Sequence, residues 1–503
     1  MKAIIIGAGL AGLSMAAELS MKGHSVIVYE QNPFIGGIMS LARKNGYAWE
    51  QGPLMLTGFE QGGICYKILK ALEVDYEAVL CDRGSVFPDF QVWKPERYLG
   101  SRWRERELIK LFPHETKGIK AYYHFYDCML TLYDIQDKLE EKGNFFYKIY
   151  LWMAFLRVKQ YSKMSTEELM DRFFEDPRVK AVFTGILADL CMKPSEFSCL
   201  GLPSLNIEQA FDKRIPTKRG ILKDPCFSYI KEGTEQITNG LGKTIVKYGS
   251  KIITNTVVEK ILLENGKAIG VMLNDGQREY ADLVFASGGA KETFEHLVGR
   301  VNISKDYLEI LDDILPMEAV FMVHLGLDID PLLYQKSELC YYYLTYDIDS
   351  AVQDLRDGKY HEGEKGFLIY VPSAHGKSMA PNGKYAVTIY TVAPDTLKEG
   401  DWENKKEYYA DRLIGLAEKY IPNLKEHITE QHIMTAIDFR KLTHQNHNSF
   451  GGLVPHMSKK TLSHITPIKD FFFIGAQSES NGGVSAQIRS MHTLAKWILG
   501  NKK

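Results

Sequence analysis

Three glycines near the start of the chain carry its clearest chemistry. Gly7, Gly9 and Gly12 lie in Ala3-Ile4-Ile5-Ile6-Gly7-Ala8-Gly9-Leu10-Ala11-Gly12, with the spacing G-x-G-x-x-G. In such a turn the first glycine permits a tight bend and the second lets backbone approach a pyrophosphate. The third lets the following helix pack closely on the preceding strand. Glu30 stands 18 residues after Gly12, followed by Gln31. An acidic residue about 20 positions downstream is the acceptor that a ribose hydroxyl pair needs. Spacing and residue types together point to a dinucleotide site.

The elements that must position these residues are legible beside them. Ala3 to Ile6 is a short, Ile-rich apolar run, which reads as a buried strand. A helix over about Leu13 to Met21 then directs its positive N-terminus at the phosphates. Ser25-Val26-Ile27-Val28-Tyr29 forms a second strand ending on Glu30. Near the other end, Asp470-Phe471-Phe472-Phe473-Ile474-Gly475-Ala476 is another buried strand running into glycine. Asn481-Gly482-Gly483-Val484-Ser485 then opens a C-terminal helix, a second place where backbone donors can meet phosphate or ring carbonyls.

Further along the N-terminal segment come a glycine doublet, Gly36-Gly37, and the turn Gly46-Tyr47-Ala48-Trp49-Glu50-Gln51-Gly52-Pro53. With the glycine loop, this resembles the N-terminus of the phytoene desaturase, carotenoid isomerase, retinol saturase-like and flavin amine oxidase superfamily. There a glycine doublet is followed by Arg, and the turn ends in Asp-x-Gly-Pro. Ile38 stands where that Arg is usual, removing a cation near the FAD phosphates, and Glu50 stands where Asp is usual. Residues 231–286 resemble the family's middle block, in which the valine matching Val258 meets the adenine end through its backbone. The closing stretch is similar to the family's last FAD motif, with Asn481 in place of Pro, Ala486 in place of Gly and Met491 in place of Gly. The resemblance implies FAD held by Gly7, Gly9, Ala11, Gly12, Glu30, Gln31, Gly36, Gly37, Gly52, Pro53, Val258, Gly475, Ala476, Gly483 and Val484 in a divergent member. No motif singles out a catalytic residue.

Composition sets the outer bounds. The chain has 503 residues, enough for more than one domain. Lys+Arg 61 against Asp+Glu 63 gives a formal charge of −2, which offers no case for nucleic-acid binding. Seven cysteines without a C-x-x-C pair argue for a reducing compartment and against a disulfide framework or zinc site. No apolar run approaches the ~20 residues that span a bilayer. A first strand beginning at residue 3 leaves no room ahead of it for a signal peptide. The expected location is cytoplasmic, with at most peripheral membrane contact.

Residues 101–200 switch to helical periodicity, marking an insertion. Within it, Arg102-Trp103-Arg104-Glu105-Arg106-Glu107 reads as a solvated helix start. The run from Phe145 to Leu156 is apolar and aromatic, with Arg157, Lys159 and Lys163 behind it. It either lies in a membrane interface or gates a lipid tunnel, or is a buried helix of the insertion, the commoner fate of such a run. Thr166 to Asp176 reads as a helix ending before Pro177. Residues 319–327, 366–371 and 385–391 read as strands whose Phe321, Tyr370 and Tyr390 line either a cavity or a core, with core expected for each. His444-Gln445-Asn446-His447 reads as a polar surface turn rather than a metal site. Gly242-Lys243-Thr244 mimics a phosphate loop, but Ile237 occupies the position where that loop needs glycine.

The expected fold is α/β: a Rossmann-like FAD-binding domain of the glutathione reductase/amine oxidase type, a mixed-sheet substrate domain and a helical insertion. The expected boundaries are 1–95, 226–300 and 446–503 for the cofactor domain, 96–225 for the insertion and 301–445 for the substrate domain. The resemblance implies an FAD-dependent desaturase, saturase or isomerase acting at a C–C bond of an apolar, polyene or lipid-like substrate. Two alternatives stand beside it. One is a flavin amine oxidase acting on a C–N bond. The other is a non-enzymatic binder of a prenylated or lipid partner with a GDP-dissociation-inhibitor-like fold, which the intact phosphate glycines argue against.

Overall fold

The computed structural model describes residues 1–219 and 222–501. Its first layer is a five-stranded parallel sheet in the order Lys251–Ile253, Ser25–Tyr29, Lys2–Ile6, Leu283–Ser287, Phe471–Ile474. Both faces are covered, which is why these strands are apolar runs rather than alternating ones. On one face pack the helices Leu10–Met21, Glu235–Lys247 and Val484–Asn501. On the other lies a three-stranded antiparallel sheet, Val258–Glu264, Lys267–Leu273 and Arg278–Tyr280. Its first hairpin turns at Asn265 and Gly266, both with positive φ (49° and 74°), the geometry that an Asn-Gly turn supplies.

A seven-stranded sheet forms the second layer, in the order Ile428–Met434, Ala319–Leu327, Tyr385–Ala393, Gly366–Tyr370, Leu339–Tyr343, Arg83–Val86, Gln91–Val92. Along Ala319–Leu327 every residue is buried, and alternate side chains serve two cores. Phe321, Val323 and Leu325 join the core under the helix Trp402–Ala417, whereas Val320 and Met322 face the helical insertion. Arg83–Val86 pairs parallel with Leu339–Tyr343. The strands at 83–92 therefore belong to this sheet, although the expected boundary at 95 put them with the parallel one. Pairing between residues some 250 positions apart leaves no local trace.

The insertion contains the helices Trp103–Leu111, Thr116–Lys142, Phe145–Val158, Thr166–Phe173 and Pro177–Thr184. The helix expected to run to Asp176 stops at Phe173. Pro177 instead starts the next helix, with the Asp176 side chain accepting from the Arg178 N–H. The charge run corrects a second expectation. Arg104 is 1% exposed and bonds Glu208 at 2.8 Å, while its guanidinium lies 3.8 Å from the centre of the Phe211 ring. The Tyr123 hydroxyl donates to the same Glu208 oxygen at 3.0 Å. Trp103 is also buried, so this helix start is part of the core.

The aromatic helix is corrected in the opposite sense. Only Ala154 and Val158 are buried in Phe145–Val158. Phe145, Phe146 and Trp152 are 69%, 65% and 61% exposed, and Ile149, Tyr150, Met153 and Leu156 are exposed with them. At 100° per residue these seven fall within one arc of roughly 160°. None of them lines the cavity described below.

Glu208→Ala leaves the Arg104 charge buried without its partner and is expected to cost about 3–5 kcal/mol. A urea unfolding midpoint measures the loss. Arg104→Met combined with Glu208→Gln removes the charge, keeps an acceptor for Tyr123, and is expected to recover most of it.

Candidate functional site

A cavity of about 930 Å³ opens where the parallel strands end, at the upper end of the size range of cofactor and ligand pockets. Gly7, Gly9, Ala11, Glu30, Gln31, Gly36, Gly37, Gly52, Pro53, Val258, Gly475, Ala476, Gly483 and Val484 all border it. Gly12 does not: it faces the strand, as a glycine reserved for helix packing should.

The glycine loop is built by close approach. Gly7 has φ 95°, and its N–H donates to the Tyr29 carbonyl at 2.8 Å. A Cβ at Gly12 would lie 2.1 Å from the Gly7 carbonyl oxygen, so only glycine lets the helix sit there. At Gly9 a Cβ would meet nothing within 4 Å, because that side is the cavity. Gly9 is also the N-cap of Leu10–Met21, and no side chain caps that helix end. Its first N–H groups are thus available to an anion. The second doublet leans on the first: the Gly36 N–H donates to the Ala8 carbonyl at 2.8 Å.

Glu30 is buried and held from both sides. One carboxylate oxygen accepts from the Ala8 N–H at 2.7 Å and the other from the Asn32 N–H at 2.8 Å. Each oxygen keeps a further lone pair, and the side chain borders the cavity. An uncapped helix end, a glycine whose missing side chain opens into the cavity and a fixed carboxylate form a donor and acceptor set that fits FAD.

The departures from the family pattern are visible as geometry. Ile38 borders the cavity and packs on Gly52, where a Cβ would lie 2.2 Å from an Ile38 methyl carbon. Asn481 has φ 55°, which proline cannot adopt, so the turn before the last helix follows another path. Glu50 is buried, with the Tyr370 hydroxyl 3.4 Å away, and burial raises its carboxyl to about 7.

Beyond the glycines the cavity becomes apolar. Ile186, Leu190, Leu205, Ile207, Met317, Leu368 and Tyr390 line it, with Tyr341 and Asp189 among them. All three aromatics expected in cores, Phe321, Tyr370 and Tyr390, are there, and Tyr390 borders the cavity as well. Sequence reasoning also missed Ser287-Gly288-Gly289, which follows a buried strand as Gly475 does; that repetition was a usable signal. His444 and Gln445 line the cavity as well, with His444 bonded to the Asn32 side chain at 2.9 Å, so this turn is not purely a surface feature. Among the described residues no group of His, Cys, Asp and Glu is placed to hold a metal ion.

The family model described as "Flavin containing amine oxidoreductase" matches residues 10–291. Prolycopene isomerase 1 of an Oncidium hybrid cultivar is 24% identical, over 96% of this chain and 81% of that protein. A 4,4'-diapophytoene desaturase of Staphylococcus aureus is 22% identical over 97% of each. Among solved structures, a putrescine oxidase redesigned in its cofactor binding superposes with a TM-score of 0.63 at 12% identity, covering 100% of this chain and 99% of that one.

Gly9→Ala is expected to leave the thermal unfolding midpoint unchanged while weakening FAD binding at least about tenfold, because the new methyl enters only the cavity. Gly12→Ala is expected to lower the midpoint by a shift equivalent to about 1–3 kcal/mol of overpacking. FAD titration and thermal melts of both variants separate the two effects.

Proposed function

The chain belongs to the flavin-containing amine oxidoreductase family, and on that premise we propose an FAD-dependent oxidoreductase acting at a carbon–carbon bond of an apolar, polyene or lipid-like substrate. The reaction is desaturation, saturation or isomerisation. One observation carries the substrate class: the phosphate cradle and an apolar chamber lined by Ile186, Leu205, Ile207 and Leu368 are parts of one cavity. The curated relatives are named for prolycopene isomerisation and 4,4'-diapophytoene desaturation, which fits a carbon–carbon reading. Arg83 is buried and borders the same cavity, where its fixed positive charge disfavours a cationic amine.

In this reading Gly9 and Gly36 bring backbone to the pyrophosphate, Glu30 accepts from ribose hydroxyls, and Val258 meets the adenine end. Gly475, Ala476, Gly483 and Val484 hold the ring end. A bound flavin supplies two-electron exchange with the substrate. The protein's own contribution is to hold an extended apolar molecule in one orientation and to exclude water from the reacting bond.

The exposed aromatic arc of Phe145–Val158 docks on an anionic membrane surface. Its apolar side chains are fringed by Lys148 and Arg157, with Lys142, Lys159 and Lys163 close by in sequence. The helix Thr116–Lys142, its hairpin partner, contributes Tyr133 and Gln136 to the cavity wall, so a docked protein keeps its cavity near the source of lipid. Among the described residues no helix is long and apolar enough to cross a membrane.

Purified protein is expected to be yellow and to release FAD on denaturation. Its flavin is expected to exchange electrons anaerobically with linear polyenes and not with small amines; peroxide release from amines alone would overturn the carbon–carbon reading. In flotation with phosphatidylglycerol/phosphatidylcholine vesicles the protein is expected to bind. Trp152→Ser and Phe146→Ser are each expected to weaken binding by about tenfold or more, from lost apolar burial. Equal flotation of these variants would place the contact elsewhere.

A further inference from the structure

The apolar chamber contains one carboxyl group in a position that packing alone does not explain. Asp189 lies on the short 3-10 helix Gly185–Leu190, which Cys191 ends in a left-handed conformation (φ 51°). That helix is pressed onto the second sheet: a Cβ on Gly185 would sit 3.0 Å from the Tyr343 ring. Asp189 keeps an accessible edge, and this edge borders the cavity beside Tyr341, Tyr390 and Leu190. Tyr341 stands beside it in the cavity wall, its hydroxyl favouring the carboxylate. Arg83 faces the same group, with its guanidinium 4.4 Å from the Phe211 ring centre and 5.6 Å from that of Tyr341, and bonded to the Leu205 carbonyl at 2.8 Å.

Asp189 also borders a second cleft of about 30 Å³, whose mostly apolar walls include Ile348, Val352 and Leu355 beside His361 and Lys365. Asp189 is thus a carboxyl group set into the wall of an apolar chamber, within reach of whatever the chamber holds.

We propose that Asp189 is the proton-exchanging catalytic residue of this enzyme, with Tyr341 as its positioning residue. The inference rests on the carbon–carbon reading above. When a single bond becomes double, one hydrogen leaves with its electron pair, for which the family's flavin is the acceptor. The neighbouring hydrogen leaves as a proton, and its bonding pair becomes the π bond. An Asp189 carboxylate oxygen takes that proton, becomes the carboxylic acid, and gives it up to water once the product has left the chamber. In the reverse direction Asp189 starts protonated and gives the proton to carbon.

The electrostatics suit both directions. Burial raises the Asp189 carboxyl to about 7, against the neighbouring Tyr341 hydroxyl and the Arg83 charge, which favour the carboxylate. The other titratable groups facing it are Tyr343, Tyr390 and Cys191, each held neutral by burial, and His361 across the cleft, lowered to about 4 by burial. Lys365, which also lines the cleft, is bonded to Asp354. A group titrating at this point exchanges protons near neutral pH with little bias.

The test uses flavin-loaded protein, comparing wild type with Asp189→Asn and Tyr341→Phe. Infrared difference spectra across pH 5–9 are expected to show carboxylic-acid absorption titrating near 7 from Glu50 and Asp189, with one component missing in Asp189→Asn and the other in Glu50→Gln. Anaerobic flavin bleaching by a partly hydrogenated linear polyene in detergent micelles is expected to quicken as pH rises through about 7. It is expected to slow about 100-fold in Asp189→Asn with the flavin spectrum unchanged. Tyr341→Phe is expected to stay active with a shifted pH midpoint. An infrared titration unchanged by Asp189→Asn, or equal bleaching by that variant, would overturn the assignment. If the flavin responds to amines instead of polyenes, the substrate reading fails; the same Asp189→Asn ratio, measured with the amine, then decides the role of Asp189 separately.

Discussion

The whole arrangement depends on how closely the helix Leu10–Met21 can approach the strand Lys2–Ile6. A Cβ at Gly12 would lie 2.1 Å from the Gly7 carbonyl oxygen, and one at Gly7 would lie 2.6 Å from the Ser287 carbonyl oxygen. Three backbones therefore meet at one point without side chains between them. This contact fixes the uncapped helix end at Gly9, brings Gly36 within bonding reach of Ala8, and lets the Ala8 N–H reach Glu30. The phosphate-side wall of the cavity is referenced to that junction. The second sheet supplies a mostly apolar roof that also carries Arg83 and Tyr341.

That division explains what the amino-acid sequence made legible. The glycine loop, Glu30, the Asn265-Gly266 hairpin and the strand at 319–327 are local patterns, and each maps onto an element within a residue or two. Parallel strands buried on both faces are continuous apolar runs, so the cofactor-side sheet could be assembled from three distant blocks. All the residues nominated for the cofactor except Gly12 border one cavity, because the spacing rule for that loop already encodes which glycine faces the ligand and which faces the strand.

What was not legible depends on partners far away in the chain. Nothing in Arg102–Glu107 announces that Glu208 and Phe211 will enclose Arg104, since the charge run looks the same whether its partner is water or a buried carboxylate. The strands at 83–92 could not be assigned to a sheet before Leu339–Tyr343 was placed beside them. The aromatic run at 145–156 looked like core by composition alone. Its hairpin partner buries only the face carrying Ala154 and Val158. Tyr390 and Asp189 are similar cases: whether an aromatic or an acid meets a cavity is decided by the gap between two sheets and an insertion, which no single stretch contains.

The strand order of the parallel sheet has a consequence for how the molecule is made. Phe471–Ile474 pairs with Leu283–Ser287, which pairs with Lys2–Ile6. Lys2–Ile6 must therefore wait through more than two hundred residues of synthesis for its partner at 283–287, and its neighbour at 25–29 through a similar stretch for the strand at 251–253. The edge of Leu283–Ser287 then stays open until the strand at 471–474 has emerged. At about 5–20 residues per second this leaves apolar strand edges unpaired for many seconds. Helix pairing in the insertion is far more local and can finish earlier. Nascent chains are thus most prone to aggregate while the half-built parallel sheet waits. A flavin cannot shorten that wait, because the walls supplied by Gly475 and Gly483 arrive with the same late segment.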